Sequence, residues 1–398
     1  MKKALVIAPQ PFFTARGTPF SVYFRTLITV EQGVTVDLLT YGEGQDVDIP
    51  GVRIIRIPRF AIFGNVKTGP SGLKLFLDFF ILLWTLGLLL RNRYDFVHAH
   101  EESVFFCRFL KPVFRFRLVY DMHSSLPQQL TNFSFTTSRL LIGLFEKLEN
   151  TSIRAADVVI TICPALADYV DELIGKQDKH LLIENSIFDE VKLLQPASPV
   201  GSDNRSDDTD DPVTLPQDQP VVVYAGTLET YQGIDLLIAA FRSVLAEKPD
   251  AVLLIVGGSQ EQVKLYSEMA RQEGLGESCI FTGRVRQVLA KHYNSLANVI
   301  VSPRISGTNT PLKVYEQLFC GVPLVATNIY SHTQVLNDDV AFLVAPEPEP
   351  MARGIIMALS DEAAAAAKVT NARELYKSKY SRPVYQAKIR HMLDILEH

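Results

Sequence analysis

The chain has only four cysteines in 398 residues, Cys107, Cys163, Cys279 and Cys320, and none forms a C-x-x-C pair. That excludes a disulfide framework or a zinc ribbon as the organising device and predicts reduced, mostly buried thiols in a cytoplasmic protein. Positive charge is not in excess: the net charge is -5, which argues against a dedicated nucleic-acid binder. No H-E-x-x-H, no cluster of metal ligands and no Ser/His/Asp order stands out. No G-x-G-x-x-G follows the first apolar run, where Gly17 stands alone, and this argues against a dehydrogenase. That run, residues 4–8, stops at Pro9, too short for the apolar region of a signal peptide, so a buried first strand is expected.

Residues 73–90 are almost continuously apolar, and 79–90 carry no charge. This is short of the ~20 apolar residues a spanning helix needs. Two readings stay open: a helix buried against a sheet, or one that dips into a membrane surface with Arg91 and Arg93 at its end.

Length favours two domains. Apolar runs at 4–8, 34–40, 52–56, 96–98, 117–120 and 158–162 alternate with helical patterns at 19–30, 73–90, 103–109, 138–154 and 164–174. A stretch rich in Pro and Asp interrupts them, and alternation resumes with strands at 221–224, 251–256, 280–282, 299–302, 324–326 and 341–344. Helices are expected between these at 234–247, 261–272, 288–296 and 312–320. Apolar strands alternating with helices indicate parallel sheets covered on both faces. The expectation is an α/β protein of two doubly wound, Rossmann-like domains facing each other across a cleft at their strands' carboxyl ends. The boundaries are 1–190, a linker 191–219, 220–379, and a C-terminal helix at 380–398 crossing back to the first domain. Asp46-Val47-Asp48 and Asp208-Thr209-Asp210 spell Asp-x-Asp, but both sit in undistinguished polar stretches and suggest no metal.

Three turns and two strand ends carry the chemistry. Arg16-Gly17-Thr18-Pro19 follows the first strand, where Gly17 allows close approach of a ligand and Pro19 suits a first helical turn. Gly226-Thr227-Leu228 leads through Gln232-Gly233 into a helix, the make-up of an anion site. The segment Ser302-Pro303-Arg304-Ile305-Ser306-Gly307-Thr308-Asn309-Thr310-Pro311-Leu312-Lys313 predicts a polar turn, then a helix capped by Thr310 with Pro311 first. Lys313 is electrostatically wrong for a bare helix start. It either pairs with Glu316 or answers a bound diphosphate, and the turn before it favours the diphosphate. His98, His100 and His123 close apolar strands at cleft-facing ends.

In order and spacing these residues resemble glycosyltransferase family 4, retaining enzymes of the GT-B architecture. The marks are Asp95-Phe96-Val97-His98-Ala99-His100, Ala156-Asp157-Val158-Val159-Ile160, Glu184 through Asp189, Gly226 through Gly233, Leu254 through Gly258, Phe281-Thr282-Gly283 and Glu316 through Val325. The resemblance implies Gly17 beside the donor diphosphate, His123 on the transferred sugar, Glu316 on the nucleotide ribose, and Lys313 with the Gly307–Thr310 turn on phosphate or sugar. Catalytic roles then fall to His123, Lys313 and Glu316. Gly226, Thr227, Arg284, Arg304, Pro311 and Leu312 complete the donor side, and Arg16, Thr18, His100 and Asp121 the acceptor side. The sequence departs from the family where Thr227 and Gln232 replace its usual Arg and Lys, and where the first glutamate of E-x7-E is Thr308. Since neutralising the leaving diphosphate is a main catalytic term, Lys313, Arg304 or Arg284 must compensate, or the donor is unusual, or catalysis is lost. Compensation is the preferred reading. The resemblance implies a nucleotide-sugar donor as co-substrate, a saccharide or lipid-linked acceptor, and no cofactor or metal. From the residues themselves, the net charge speaks against nucleic acid, and the apolar 73–90 helix with the basic, aromatic 111–117 stretch suggests a membrane-anchored acceptor and a cytoplasmic protein at the membrane's inner face. The alternatives are a non-catalytic binding partner of another transferase and a nucleotide-sugar epimerase.

Overall fold

The computed structural model describes residues 2–14, 17–59, 66, 71–127, 138–189, 191, 213, 215–216 and 218–398. Two compact units emerge: residues 1–198 with 382–398, and residues 199–381. Arg16, Asp208-Thr209-Asp210 and most of the expected linker lie outside the described residues.

The first unit holds β1 (Lys3–Ala8), α1 (Gly17–Glu31), β2 (Thr35–Thr40), β3 (Val52–Arg56), α2 (Gly72–Arg91), β4 (Phe96–His100), α3 (Val104–Phe114), β5 (Arg117–Met122), α4 (Arg139–Ala155), β6 (Val158–Thr161), α5 (Pro164–Ile174), β7 (His180–Leu182) and α13 (Arg382–Ile395). Its strands form one parallel sheet in the order β3-β2-β1-β4-β5-β6-β7. Parallel crossovers are right-handed, so α1, which leads one way along the sheet, covers one face, and α2, α3, α4 and α5, which lead the other way, cover the opposite face. Helix α13 packs beside α1. Strand alternation then sorts side chains. Val97, Ala99, Leu118 and Tyr120 join the core under α2, α3 and α5, whereas His98, His100 and Asp121 point to the α1 side.

The second unit holds β8 (Val221–Ala225), α6 (Ile234–Glu247), β9 (Val252–Val256), α7 (Gln260–Gln272), β10 (Cys279–Gly283), α8 (Gln287–Leu296), β11 (Val299–Ser302), α9 (Leu312–Cys320), β12 (Leu324–Thr327), α10 (Tyr330–Thr333), β13 (Phe342–Val344), α11 (Pro348–Ser360) and α12 (Glu362–Lys379). Its parallel order is β10-β9-β8-β11-β12-β13. In each sheet the strand order reverses once, between β1 and β4 and between β8 and β11, and such switch points are where open α/β sheets bind ligands.

Two expectations need correction. Thr310 is not the cap of α9: Pro311 holds that place with extended backbone (φ -63°, ψ 132°), and no side chain caps the helix. Proline's fixed φ suits either place, so the sequence alone did not separate them. The helix expected at 103–109 is longer, running through Pro112 to a left-handed stop at Arg115 (φ 57°).

Candidate functional site

At the second switch point, two loops clasp each other. The Ile305 N–H donates to the Tyr231 carbonyl (3.0 Å), and Gly233, with φ 69°, lets the Pro303 carbonyl press against its Cα. A Cβ there would fall inside contact distance of that carbonyl. Gly233→Ala should therefore cost the left-handed penalty of ~1–2 kcal/mol plus the clash, lowering Tm and loosening both loops together. The 302–310 turn is braced from below by His332. Its Nε2 lies 3.0 Å from Ser302 Oγ and its Nδ1 donates to the Thr327 carbonyl (2.9 Å), while Thr327 Oγ1 donates to the Arg304 carbonyl. Burial lowers this imidazole to about 4, so it is neutral at physiological pH.

Lys313 is the centre of the arrangement. Its Nζ donates to Gln232 Oε1 (3.3 Å) and stands 4.2 Å from the centroid of the Tyr224 ring. Gln232 Nε2 in turn donates to Thr227 Oγ1 (3.5 Å), and a Cβ at Gly226 would come within 3.3 Å of Lys313 Nζ. The two neutral residues that replace the family's cations thus form a polar seat for the Lys313 amine. No Lys313–Glu316 pair forms among the described contacts; Glu316 lies 3.7 Å from Lys291 instead. Burial, then the nearby Arg304 charge, lowers the Lys313 amine to about 7. Arg304 stacks over the Tyr231 ring (5.2 Å) and donates from Nε to the Ser306 carbonyl (2.6 Å), crossing Gly307, whose φ is 127°. Thr310 keeps a buried hydroxyl with no hydrogen-bond partner among the described residues, and the Thr308 carbonyl accepts from Gln334 (2.6 Å). Asn309 and Leu312 are half-buried beside them, and Arg284 is exposed just beyond β10. Two cations held close to an open glycine turn repel each other, and an anion would relieve both.

At the first switch point, β4 and β5 place His100 opposite Asp121 in register. Asp121 is fully buried and gathers Arg25 (3.0 Å), His98 (2.8 Å), His100 (3.4 Å) and His123 (3.4 Å), with His100 Nδ1 2.9 Å from His123 Nε2. Burial alone would raise the Asp121 carboxyl, but the Arg25 guanidinium and the histidines hold it well below the usual range. Burial pushes His100 well down and His123 to about 4, so both are neutral hydrogen-bonding groups at pH 7. His98, His100 and Asp121 offer ligand atoms within 4.8 Å of one another, and the Arg25 guanidinium stands 3.0 Å from the same Asp121 oxygen that His98 engages. Gly17 opens α1 with no atom within 4 Å of a built Cβ, which leaves that backbone approachable; Thr18 beside it is half-buried.

Arg25 was not legible in the sequence, since it sits in an apolar helix 96 positions from its carboxylate partner. A second feature missed is a group of carboxylates, Asp78 on α2 with Glu101 and Glu102 just after β4. Tyr41 Oη donates to Asp78 Oδ1 (2.5 Å), and burial with Glu102 nearby pushes Glu101 up to about 7. The left-handed φ of Glu101 (50°) was the one signal, and it exists only in the backbone. Of the Asp-x-Asp candidates, Asp46 is engaged by Arg56 (3.1 Å).

Residues 206–375 match the family described as glycosyl transferases group 1, and residues 28–186 the glycosyl transferase 4-like domain. The phosphatidyl-myo-inositol mannosyltransferase of Mycolicibacterium smegmatis is 28% identical over 163 residues, 40% of this chain and 41% of the relative. YtcC of Bacillus subtilis, which carries a provisional glycosyltransferase name, is 31% identical over 168 residues, with the same shares. The chain therefore spans about two fifths of the length of these curated relatives. Among solved structures, sucrose-phosphate synthase from Thermosynechococcus elongatus superposes with a TM-score of 0.73 at 22% identity, covering 99% of this chain and 98% of that one. HepE of Anabaena in complex with UDP gives 0.67 at 15%, covering 99% and 100%. Two parallel Rossmann-like sheets, two consecutive family matches and these likenesses agree: the fold is GT-B, and the chain belongs to the family 4 glycosyltransferases.

Proposed function

We propose that the protein transfers a sugar from a nucleoside diphosphate to a saccharide or lipid-linked acceptor, with retention of configuration and without a metal ion. The observation that carries this reading is the Lys313 amine, buried, depressed to about 7 and seated on Gln232 beside Arg304 and Gly226. Such an amine gains most from a partner that is doubly anionic and approaches through a glycine turn. Arg304 and Lys313 then take over the charge neutralisation that family relatives assign to the positions of Thr227 and Gln232. The bond from the anomeric carbon to the β-phosphate oxygen breaks, the acceptor oxygen adds on the same face, and its proton passes to the departing phosphate. Glu316 would hold the ribose and His123, neutral, the transferred sugar. The names of relatives that act on phosphatidylinositol support a lipid-linked acceptor.

Calorimetry with UDP, GDP and ADP in metal-free buffer tests this. One nucleotide should bind, and Glu316→Ala should weaken it by about 1.5–3 kcal/mol, the worth of a charged hydrogen bond. No binding by any nucleotide to folded protein would refute the donor site. Binding without sugar transfer or hydrolysis would instead favour a non-catalytic partner, the reading that the Thr227 and Gln232 replacements motivate.

A further inference from the structure

The face of the first unit opposite α1 carries a surface that the transferase reading does not use. Helix α2 is held to the sheet by one stripe, Leu77, Ile81, Thr85 and Leu89, each four residues from the next, and Asp78 beside it is fixed by Tyr41. A surface helix normally turns polar residues outward. Here the outward stripe is apolar: Leu75 is 62% exposed, Phe79 55%, Leu83 43% and Leu90 76%. Helix α3, on the same face, adds Phe109 at 61% and Val113 at 70%. Scattered exposed apolar residues need no explanation, but a run along one helix continued on another does.

Charge indicates what covers it. Crossover helices of a parallel sheet run the same way, so α2 and α3 end at the same edge of the sheet. There Arg91, Arg93, Arg115 and Arg117 are all exposed, and they outnumber the exposed Asp95 beside them. The whole chain carries -5, so this basic rim is a local arrangement and not the general composition. Apolar and aromatic side chains above a cationic edge match the boundary of an anionic bilayer, where the apolar part enters the acyl region and the cations meet phosphates. Although α2 has the length and hydropathy of a spanning segment, its Leu77–Leu89 stripe belongs to the core, which fixes it parallel to the surface it would enter. We propose that the α2–α3 face docks the protein on anionic phospholipid surfaces. This inference does not depend on the transferase reading.

Flotation of the full chain with vesicles tests it. The protein should rise with vesicles of phosphatidylcholine plus phosphatidylglycerol and stay down with phosphatidylcholine alone. Phe79→Asp with Leu83→Asp should abolish flotation without changing the circular dichroism melt or nucleotide binding, since both side chains are exposed. Arg91→Ala with Arg93→Ala should weaken partition ~30-fold, at about 1 kcal/mol per cation. Absence of flotation with the anionic vesicles would overturn the proposal, as would flotation that both double variants leave intact. So would a dimer, seen in sedimentation, that Phe79→Asp with Leu83→Asp dissolves while vesicles are ignored.

Discussion

Lys313→Ala should lower affinity for the cognate nucleoside diphosphate by on the order of 100-fold, corresponding to about 3 kcal/mol for a charge-assisted contact in a desolvated seat. The wild-type interaction should also be coupled to protons. With its pKa near 7, the amine is mostly neutral at pH 8 and mostly charged at pH 6. A bound diphosphate stabilises the charged form, so binding should take up ~1 proton at pH 8 and almost none at pH 6. Affinity should accordingly fall by up to ~10-fold per pH unit above 7. Calorimetry in two buffers of different ionisation enthalpy reads the uptake directly. Gln232→Lys on the Lys313→Ala background returns a cation to the same seat and should recover part of the affinity. Unchanged proton uptake in Lys313→Ala would place the coupling, and the diphosphate, elsewhere.

Asp121→Asn should destabilise the first unit by ~3–5 kcal/mol, because Arg25 would be left buried without its counter-charge. Trp84 is the single tryptophan and lies in α2, so its fluorescence in urea reports this unit apart from the second. Removing both charges, with Arg25→Met added, should recover part of the loss. The same unit should weaken on acidification earlier than carboxylates alone would dictate. His100 and His123 are depressed in the folded protein, so below about pH 6.5 the unfolded chain binds protons that the folded one refuses. Their stabilisation is complete above that pH and is lost as pH falls toward 4, at up to about 1.4 kcal/mol per pH unit for each histidine. A urea midpoint flat from pH 7 to 5 would contradict this account.

Much of the architecture was legible because parallel strands buried on both faces are written as unbroken apolar runs. Helices 164–174, 234–247 and 312–320 form with the bounds their patterns indicate. The short edge strand at His180–Leu182 was not legible, since a half-buried edge needs no apolar run. Nor was α12, whose Ala-rich sequence supports a helix through propensity but carries little amphipathic pattern. At the site, glycine turns and Lys313 announced themselves through local rules of helix ends and charge. Contacts made across the fold did not: Lys313 on Gln232 is 81 positions away, and Arg25 on Tyr385 is 360. For α2, composition left two readings open, burial against a sheet or contact with a membrane surface; the structure buries one stripe in the core and leaves another exposed, and only the first of these follows from the fold.

Residues 382–398 belong to the first unit, although the whole second unit precedes them in the chain. During synthesis the second unit therefore has all its residues before the first unit does, reversing the order in which the two begin. Until α13 arrives, Arg25 lacks Tyr385, Glu184 lacks Lys388, and Glu31 lacks Arg382. A premature stop just after Ser381 would leave the second unit's sequence whole and the first unit's unfinished, so the nascent half waiting longest for its last segment is the one made first.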